Sequence, residues 1–219
     1  MLRRFLPFLF SCLLLCIAAC NTIDEKAYDH TFRMNLAGGL HSLDPAFSKD
    51  LSTMWCAQLL YNTLVETDSN LQLKASIAHA WSVDASQLNY TFHLRQNIYF
   101  HQHPLFPKHQ ARKLVASDVV FSFKRLIDPT LASPGAWIFN DKVTADNPFE
   151  ALNDSTFIIH LKQPFQPLLH MLSMPYCSIV PYEVVNYYKE DFRSHPCGTG
   201  PFQLISWDEG ANLLMHKNP

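Results

Sequence analysis

The histidines of one loop are the first residues whose type and spacing suggest chemistry. His101, His103 and His109 lie close together along the chain, and imidazole nitrogens are common ligands of Zn²⁺. A zinc site needs further ligands to complete its shell, but residues 101–113 contain neither a carboxylate nor a cysteine. The sequence therefore predicts an exposed loop at residues 101–113 and no metal site.

Sequence signatures of catalysis are absent. Neither GxSxG nor HExxH occurs, and no cysteine has the flanking residues of a known nucleophile. The glycines of Gly198-Thr199-Gly200 suggest a phosphate-binding loop, but no Walker lysine follows them, and Pro201 lacks a backbone donor. We therefore expect a structural turn at this position, no cofactor and no enzymatic activity.

The composition excludes several classes of protein. With 48% hydrophobic and 13% aromatic residues, the chain is too apolar to be disordered. Past residue 19, no apolar run approaches the ~20 residues of a membrane-spanning helix, which excludes a polytopic membrane protein. Because 17 basic residues stand against 19 acidic ones, nucleic acid is not expected as a partner.

The first twenty residues have the pattern of an export signal. Arg3 and Arg4 precede an apolar stretch that is too short to span a bilayer comfortably, which predicts a signal peptide at residues 1–19. The signal ends in Ile17-Ala18-Ala19-Cys20, which resembles a bacterial lipobox. This resemblance implies that Cys20 is the site of lipid attachment.

Lipidation of Cys20 would decide where the protein works. Residues 20–31 would form a polar tether, and the protein would be a membrane-anchored lipoprotein of the bacterial cell envelope, facing the periplasm or the exterior. The alternative is an ordinary signal peptide that happens to carry a cysteine.

Three cysteines remain beyond the signal, namely Cys56, Cys177 and Cys197. An exported protein meets an oxidising compartment, so a disulfide between Cys177 and Cys197 is one possibility. Three separate, partly buried thiols are the other, and the odd count leaves the choice open. The absence of a CxxC spacing argues against a zinc site.

The elements that must position these residues alternate between strands and helices. Leu88–Arg95 and Phe32–Leu36 alternate apolar and polar residues, as half-buried strands do, and Phe157–Leu161 is a shorter strand. From about Lys49 to Leu64, apolar residues recur at helical spacing. The apolar face of that helix would consist of Leu51, Met54, Trp55 and Leu59.

A second helix is expected from Ser117, which suits an N-cap, to Pro129; Asp118 would interact favourably with its dipole. Strands and helices are mixed without a regular βαβ repeat, which indicates an α/β chain with mixed sheets. The remaining predicted elements are helices near Leu168–Leu172 and at Tyr182–Tyr188, and strands at Phe202–Trp207 and Leu213–Lys217.

Several motifs occur in the order that is typical of one family. They are Ser42-Leu43-Asp44-Pro45, Tyr90-Thr91-Phe92-His93-Leu94-Arg95, the helix segment from Ala116 to Arg125, and Gly198-Thr199-Gly200-Pro201-Phe202. In this order they resemble the oligopeptide/dipeptide/nickel class of solute-binding lipoproteins of ABC importers (extracellular solute-binding protein family 5). The resemblance covers residues 32–219.

This resemblance implies a periplasmic-binding-protein-like (type II) fold with a mixed-sheet lobe. A two-lobed clamp would close on a peptide ligand and dock on ABC permease subunits, and Gly39, Leu40 and His41 would lie near the ligand backbone. Because members of the family are more than twice as long, residues 32–219 would be the N-terminal portion of the solute-binding domain. We therefore expect a truncated chain that lacks the second large lobe.

The sequence leaves the function of such a chain open between three alternatives. It would be an oligopeptide-capturing lipoprotein that is incomplete as given, a truncated remnant that does not transport, or a structural or interaction lipoprotein of the envelope that has reused the lobe.

Overall fold

The computed structural model describes residues 33–36 and 38–218. The predicted signal peptide 1–19, Cys20 and the tether 20–31 lie outside these residues. Among the described residues, no helix is both long and apolar enough to cross a bilayer. In chain order, the elements are α1 (Leu51–Leu60), β1 (Val65–Thr67), β2 (Leu73–Ala75), β3 (Ala78–Val83), β4 (Asn89–Leu94), α2 (Ala116–Leu126), β5 (Phe149–Asn153), β6 (Thr156–His160), α3 (Leu168–Met171), α4 (Tyr182–Tyr188), β7 (Phe202–Asp208) and β8 (Asn212–Lys217).

The largest sheet has four strands in the order β3-β4-β6-β5, with every neighbouring pair antiparallel. Its central strand β4 confirms the strand predicted from alternation, because Tyr90, Phe92 and Leu94 are buried. Two separate hairpins, β1-β2 and β7-β8, are also antiparallel. Helices alternate with these sheets along the chain, which gives the predicted α/β organisation.

Helix α2 covers the inner face of the four-stranded sheet through an aromatic cluster. Phe123 of α2 is fully buried, and its ring centroid lies 5.5 Å from that of Phe157 on β6 and 5.5 Å from that of Phe149 on β5. Phe139 closes the cluster, with its ring centroid 4.9 Å from that of Phe123. Such aromatic contacts add to the free energy gained from burying the rings.

Helix α1 is shorter than predicted and buries the opposite face. It begins after Asp50, whose side chain accepts a hydrogen bond from the backbone N–H of Thr53, and it ends at Leu60. Two of the four residues of the predicted apolar face are exposed, Leu51 at 66% and Trp55 at 42%, whereas Met54 and Leu59 are half-buried. The buried side chains are Ser52, Thr53, Cys56, Ala57 and Leu60.

The N-cap of α2 lies two residues before the predicted one. Val115, and not Ser117, occupies the N-cap position, and the carboxylate of Asp118 accepts its backbone N–H at 2.9 Å. Asp118 is fully buried, and its carboxylate accepts hydrogen bonds from both terminal nitrogens of Arg112, at 2.7 and 3.0 Å. This carboxylate therefore caps the helix and anchors the 101–113 loop at the same time.

The strand predicted at Phe32–Leu36 does not form at residues 33–36. A strand needs a ladder of hydrogen bonds with a neighbour, and residues 33–36 belong to no strand pair of the described chain. Phe32 lies outside the described residues.

Candidate ligand cleft

A cleft of about 1180 Å³ opens between the loop before α1, the end of α2 with the loop that follows it, and the end of α4. Its walls are mainly apolar, and its charged side chains carry both signs. The apolar side chains that line it are Phe47, Phe121, Leu131, Ala132, Pro134 and Val185. The charged ones are Asp44, Lys49, Asp50, Lys124, Arg125, Asp128, Lys189, Glu190 and Arg193.

A buried ion pair joins two of these elements. Nη1 of Arg125, on α2, donates to Oδ1 of Asp44 at 2.8 Å, and Nη2 donates to Oδ2 of the same carboxylate. The side chains are only 11% and 4% exposed, and the guanidinium also lies over the ring of Phe192. A bidentate pair of this kind fixes both orientation and distance, so it ties the loop before α1 to α2.

Hydrogen bonds from three other parts of the chain hold the same loop. The hydroxyl of Ser133 donates to the carbonyl of Ala46 at 2.6 Å, and the backbone N–H of Leu43 donates to the carbonyl of Arg193 at 2.8 Å. The hydroxyl of Tyr61 donates to the carbonyl of Leu43, and burial raises the pKa of Tyr61 well above its ordinary value. These three hydrogen bonds therefore give the loop a defined conformation.

Three lysines of the cleft are available to a ligand. Lys49, Lys124 and Lys189 form no salt bridge with any residue that the structure describes, whereas Arg193 pairs with Glu209 at 2.6 Å. Among the acidic groups, Asp50 caps α1, and Asp128 accepts hydrogen bonds from Thr130. Cations and carboxylates around apolar walls suit a ligand that carries both charges.

The predicted segment Gly39-Leu40-His41 is only partly in this cleft. His41 is exposed and lines it, whereas Leu40 is buried and Gly39 does not line it. Gly39 has a φ of 71° and donates its N–H to the carbonyl of Leu36 at 3.2 Å. Its left-handed backbone is thus accounted for by a turn, a conformation that glycine adopts without steric cost.

Sequence reasoning missed the pair of Asp44 and Arg125 as part of a site. Both residues lie in motifs that carried the family resemblance, since Asp44 belongs to Ser42-Leu43-Asp44-Pro45 and Arg125 ends the α2 segment. The opposite charges of these two residues were the only sign in the sequence that they form a pair. Local sequence patterns do not reveal contacts between residues that lie 81 positions apart.

The cysteines adopt the second of the two predicted alternatives, so the Cys177–Cys197 disulfide is not formed. Cys56, Cys177 and Cys197 are free and buried. The thiol of Cys177 donates to the carbonyl of Met171, and that of Cys197 donates to the carbonyl of His101. The two thiols therefore form hydrogen bonds with different segments of the chain. Burial raises the pKa of both thiols, that of Cys197 to about 12.

The predicted exposed loop at residues 101–113 is wrong for its first histidine. His101 is 5% exposed, and its Nε2 donates to the carbonyl of Gly200 at 3.0 Å, while burial lowers its pKa. Gly198 and Gly200 form the expected structural turn and press against the backbone of Leu60. Among the described residues, no cluster of side chains could hold a metal ion.

Comparison with known proteins identifies the family. Residues 72–219 match the bacterial extracellular solute-binding proteins, family 5 Middle. The chain is 30% identical to di/tripeptide-binding protein 2 of Pseudomonas aeruginosa over 224 residues, which cover 96% of this chain and 41% of the relative. It is also 30% identical over 177 residues to heme-binding protein A of Haemophilus influenzae, covering 74% of this chain and 32% of that relative.

Solved structures support the predicted periplasmic-binding-protein-like (type II) fold. The DppA protein of Helicobacter pylori in complex with the peptide STSA superposes with a TM-score of 0.72 at 30% identity, over 82% of this chain and 37% of that one. A periplasmic oligopeptide-binding protein of Borrelia burgdorferi has a TM-score of 0.77 at 21% identity, over 85% of this chain and 39% of that one; it supports the fold alone. The chain thus spans about two fifths or less of the relatives that it matches, and it belongs to the bacterial extracellular solute-binding proteins of family 5.

Proposed function

We propose that the protein captures short peptides as the substrate-binding lipoprotein of an ABC importer. The observation that carries this proposal is the cleft, in which apolar walls are combined with cations and carboxylates, in a chain of this family. Relatives named for di/tripeptide binding, and a solved relative that holds the peptide STSA, support the choice of ligand.

A short peptide matches the chemistry of the cleft. It carries an ammonium group and a carboxylate at its ends, and its side chains vary. Lys49 and Lys124 can attract the carboxylate, while Asp128 and Glu190 can attract the ammonium group. Apolar walls accept different side chains because hydrophobic contact is not directional. His41 would contact the ligand from the cleft wall, and Gly39 and Leu40 would set the path of the chain that leads to it.

The partner and the location follow from the same proposal. The peptide-loaded protein would dock on the permease subunits of an ABC importer. Removal of residues 1–19 and lipidation of Cys20 would anchor the protein to a membrane in the cell envelope, with residues 20–31 as the tether. Buried acyl chains contribute about 0.8 kcal/mol per methylene group, so two or more chains give stable anchoring.

The peptide proposal is tested by calorimetric titration of the purified protein with a defined set of di- and tripeptides. Lys124→Gln should weaken binding by a factor of about 1.4 to 5, because an exposed ion pair contributes about 0.2–1 kcal/mol. The matched control is Lys162→Gln, which removes another exposed lysine that does not line the cleft. The absence of heat of binding with every peptide would refute the proposal and favour a lipoprotein without a transport role.

The anchor is tested separately by Cys20→Ala. The variant should lose lipid attachment and leave the membrane fraction, whereas Cys56→Ala, which lies in the folded chain, should stay with the membrane. Unchanged fractionation of Cys20→Ala would contradict the lipobox assignment without affecting the peptide proposal.

A further inference from the structure

The lysine that ends α4 has a strained backbone. Lys189 has a φ of 50° and a ψ of −116°, which lies outside the small left-handed region that residues other than glycine can enter. Helix ends that need a positive φ usually carry glycine, because glycine has no Cβ to clash. A lysine at this position therefore lowers the stability of the fold. Strained residues of this kind cluster at ligand-binding sites.

Packing on both sides of residue 189 imposes this conformation. The ring of Tyr188, the preceding residue, stacks on the ring of His195 with centroids 4.0 Å apart. On the other side, Phe192 of the 3₁₀ helix Lys189–Ser194 is fully buried. Because both neighbouring segments are fixed, the chain must turn sharply at residue 189 whichever side chain that residue carries. The packing therefore accounts for the turn but not for the lysine.

The ammonium group of Lys189 is available to a ligand. Lys189 is exposed and lines the cleft, and it forms no salt bridge with any other residue that the structure describes. Of the three cleft lysines, Lys189 alone has a positive φ, since Lys49 and Lys124 do not. The strained backbone thus distinguishes Lys189 from the other two.

We infer, on the basis of the peptide function proposed above, that Lys189 binds the terminal carboxylate of the ligand. This role keeps a lysine at a position where glycine would be more stable. Every peptide has a terminal carboxylate, so one cation at a fixed place can hold ligands whose side chains differ. A backbone that is held by packing also adds no ordering cost when the ligand binds.

The binding test compares trialanine with its C-terminal amide in calorimetric titrations of the purified full-length protein. The unmodified protein should bind the acid about tenfold more tightly than the amide, because a hydrogen bond between charged groups is lost in the amide. Lys189→Gln, which removes the cation and keeps the strained backbone, should reduce this preference to about threefold or less. Lys189→Arg, which keeps the cation, should retain it.

The matched control is Lys108→Gln. Lys108 is an exposed lysine that also has a positive φ, 56°, but it does not line the cleft. This variant loses the same charge, and its preference for the acid over the amide should equal that of the unmodified protein.

The strain is tested without ligand by thermal unfolding of two variants. Lys189→Gly and Lys189→Ala both remove the charge, but glycine alone adopts this backbone conformation without steric cost. Lys189→Gly should therefore melt about 2–4 °C above Lys189→Ala. In ordinary helical or extended backbone the order would be reversed, with the alanine variant more stable.

Four results would overturn the inference. If peptides bind but Lys189→Gln keeps the full preference for the acid, or Lys108→Gln loses it equally, the carboxylate is not held by Lys189 and the proposed function stands. A protein that binds other peptides but not trialanine would recognise side chains instead of the terminal carboxylate. An alanine variant that melts at or above the glycine variant would show that the backbone is not strained. The absence of binding to every peptide would refute the proposed function and this inference with it.

Discussion

The buried pair of Asp44 and Arg125 allows a quantitative prediction. Arg125→Met keeps most of the length and the apolar contact of the side chain but removes both hydrogen bonds to Asp44. Asp44 is 3% exposed, so its carboxylate would remain buried with one bond, from the backbone N–H of Ala46 at 3.0 Å. Breaking a buried pair in this way costs about 3–5 kcal/mol, a large share of the ~5–15 kcal/mol that stabilises a typical domain.

Urea unfolding, followed by circular dichroism, measures this loss of free energy. The double variant Arg125→Met/Asp44→Asn removes the stranded charge, keeps the acceptor for Ala46, and should recover at least about half of the loss. Lys124→Met, one position away and exposed, should change the free energy of unfolding by less than about 0.5 kcal/mol. A loss below about 1 kcal/mol in Arg125→Met, or a double variant that is less stable than the single one, would refute the argument that the pair is desolvated and essential.

Gly200→Ala should destabilise the protein severely, because a Cβ there would lie 2.4 Å from a backbone carbonyl carbon of α1. Gly38→Ala is the control, because the atom nearest to a Cβ at that position is 3.4 Å away. Equal melting temperatures of the two variants would contradict this packing. Cys197 should resist a disulfide reagent at pH 8 until urea is added, because burial raises its pKa to about 12; rapid labelling of the native protein would show that the thiol is accessible. The hydroxyl of Ser86 and other local donors lower the pKa of Asp84 from 3.8 to about 2. The folded pKa lies below the unfolded one, so the stabilisation is present above about pH 4 and disappears as pH falls toward 2. The difference in free energy of unfolding between the unmodified protein and Asp84→Asn should therefore shrink as pH falls from about 4 to about 2. A difference that stays constant over this pH range would exclude the linkage between stability and ionisation of Asp84.

The elements that the sequence predicts well are those that local pattern alone determines. Helix α4 has the predicted bounds, Tyr182–Tyr188, and β7 extends only one residue beyond the predicted Phe202–Trp207. Period-two alternation and a turn containing Gly210, whose φ is 80°, are enough to specify the hairpin. Neither signal depends on distant parts of the chain.

Helix α1 shows where local pattern fails. Periodicity predicts an apolar face, and the rule that such a face is buried selects Leu51 and Trp55, both of which are exposed. The chain packs instead on the face with small side chains, including Ala57, and Gly198 approaches so closely that a Cβ would lie 2.1 Å from the carbonyl oxygen of Leu60. Close backbone approach requires small residues on both sides, and this tertiary requirement overrides amphipathic pattern.

The difference between local pattern and tertiary contact also explains why the sequence indicates the family but not the residues of the cleft. The motif Ser42-Leu43-Asp44-Pro45 is read locally as a turn, but Asp44 acts at a distance through Arg125. Because that pair joins the loop before α1 to the end of α2, it fixes the separation of two cleft walls. A site whose walls are held by a buried ion pair needs less ordering on binding, so less binding free energy is spent on ordering the protein. The positions of the cleft walls therefore depend on the ion pair of Asp44 and Arg125 more than on the turn at Gly39.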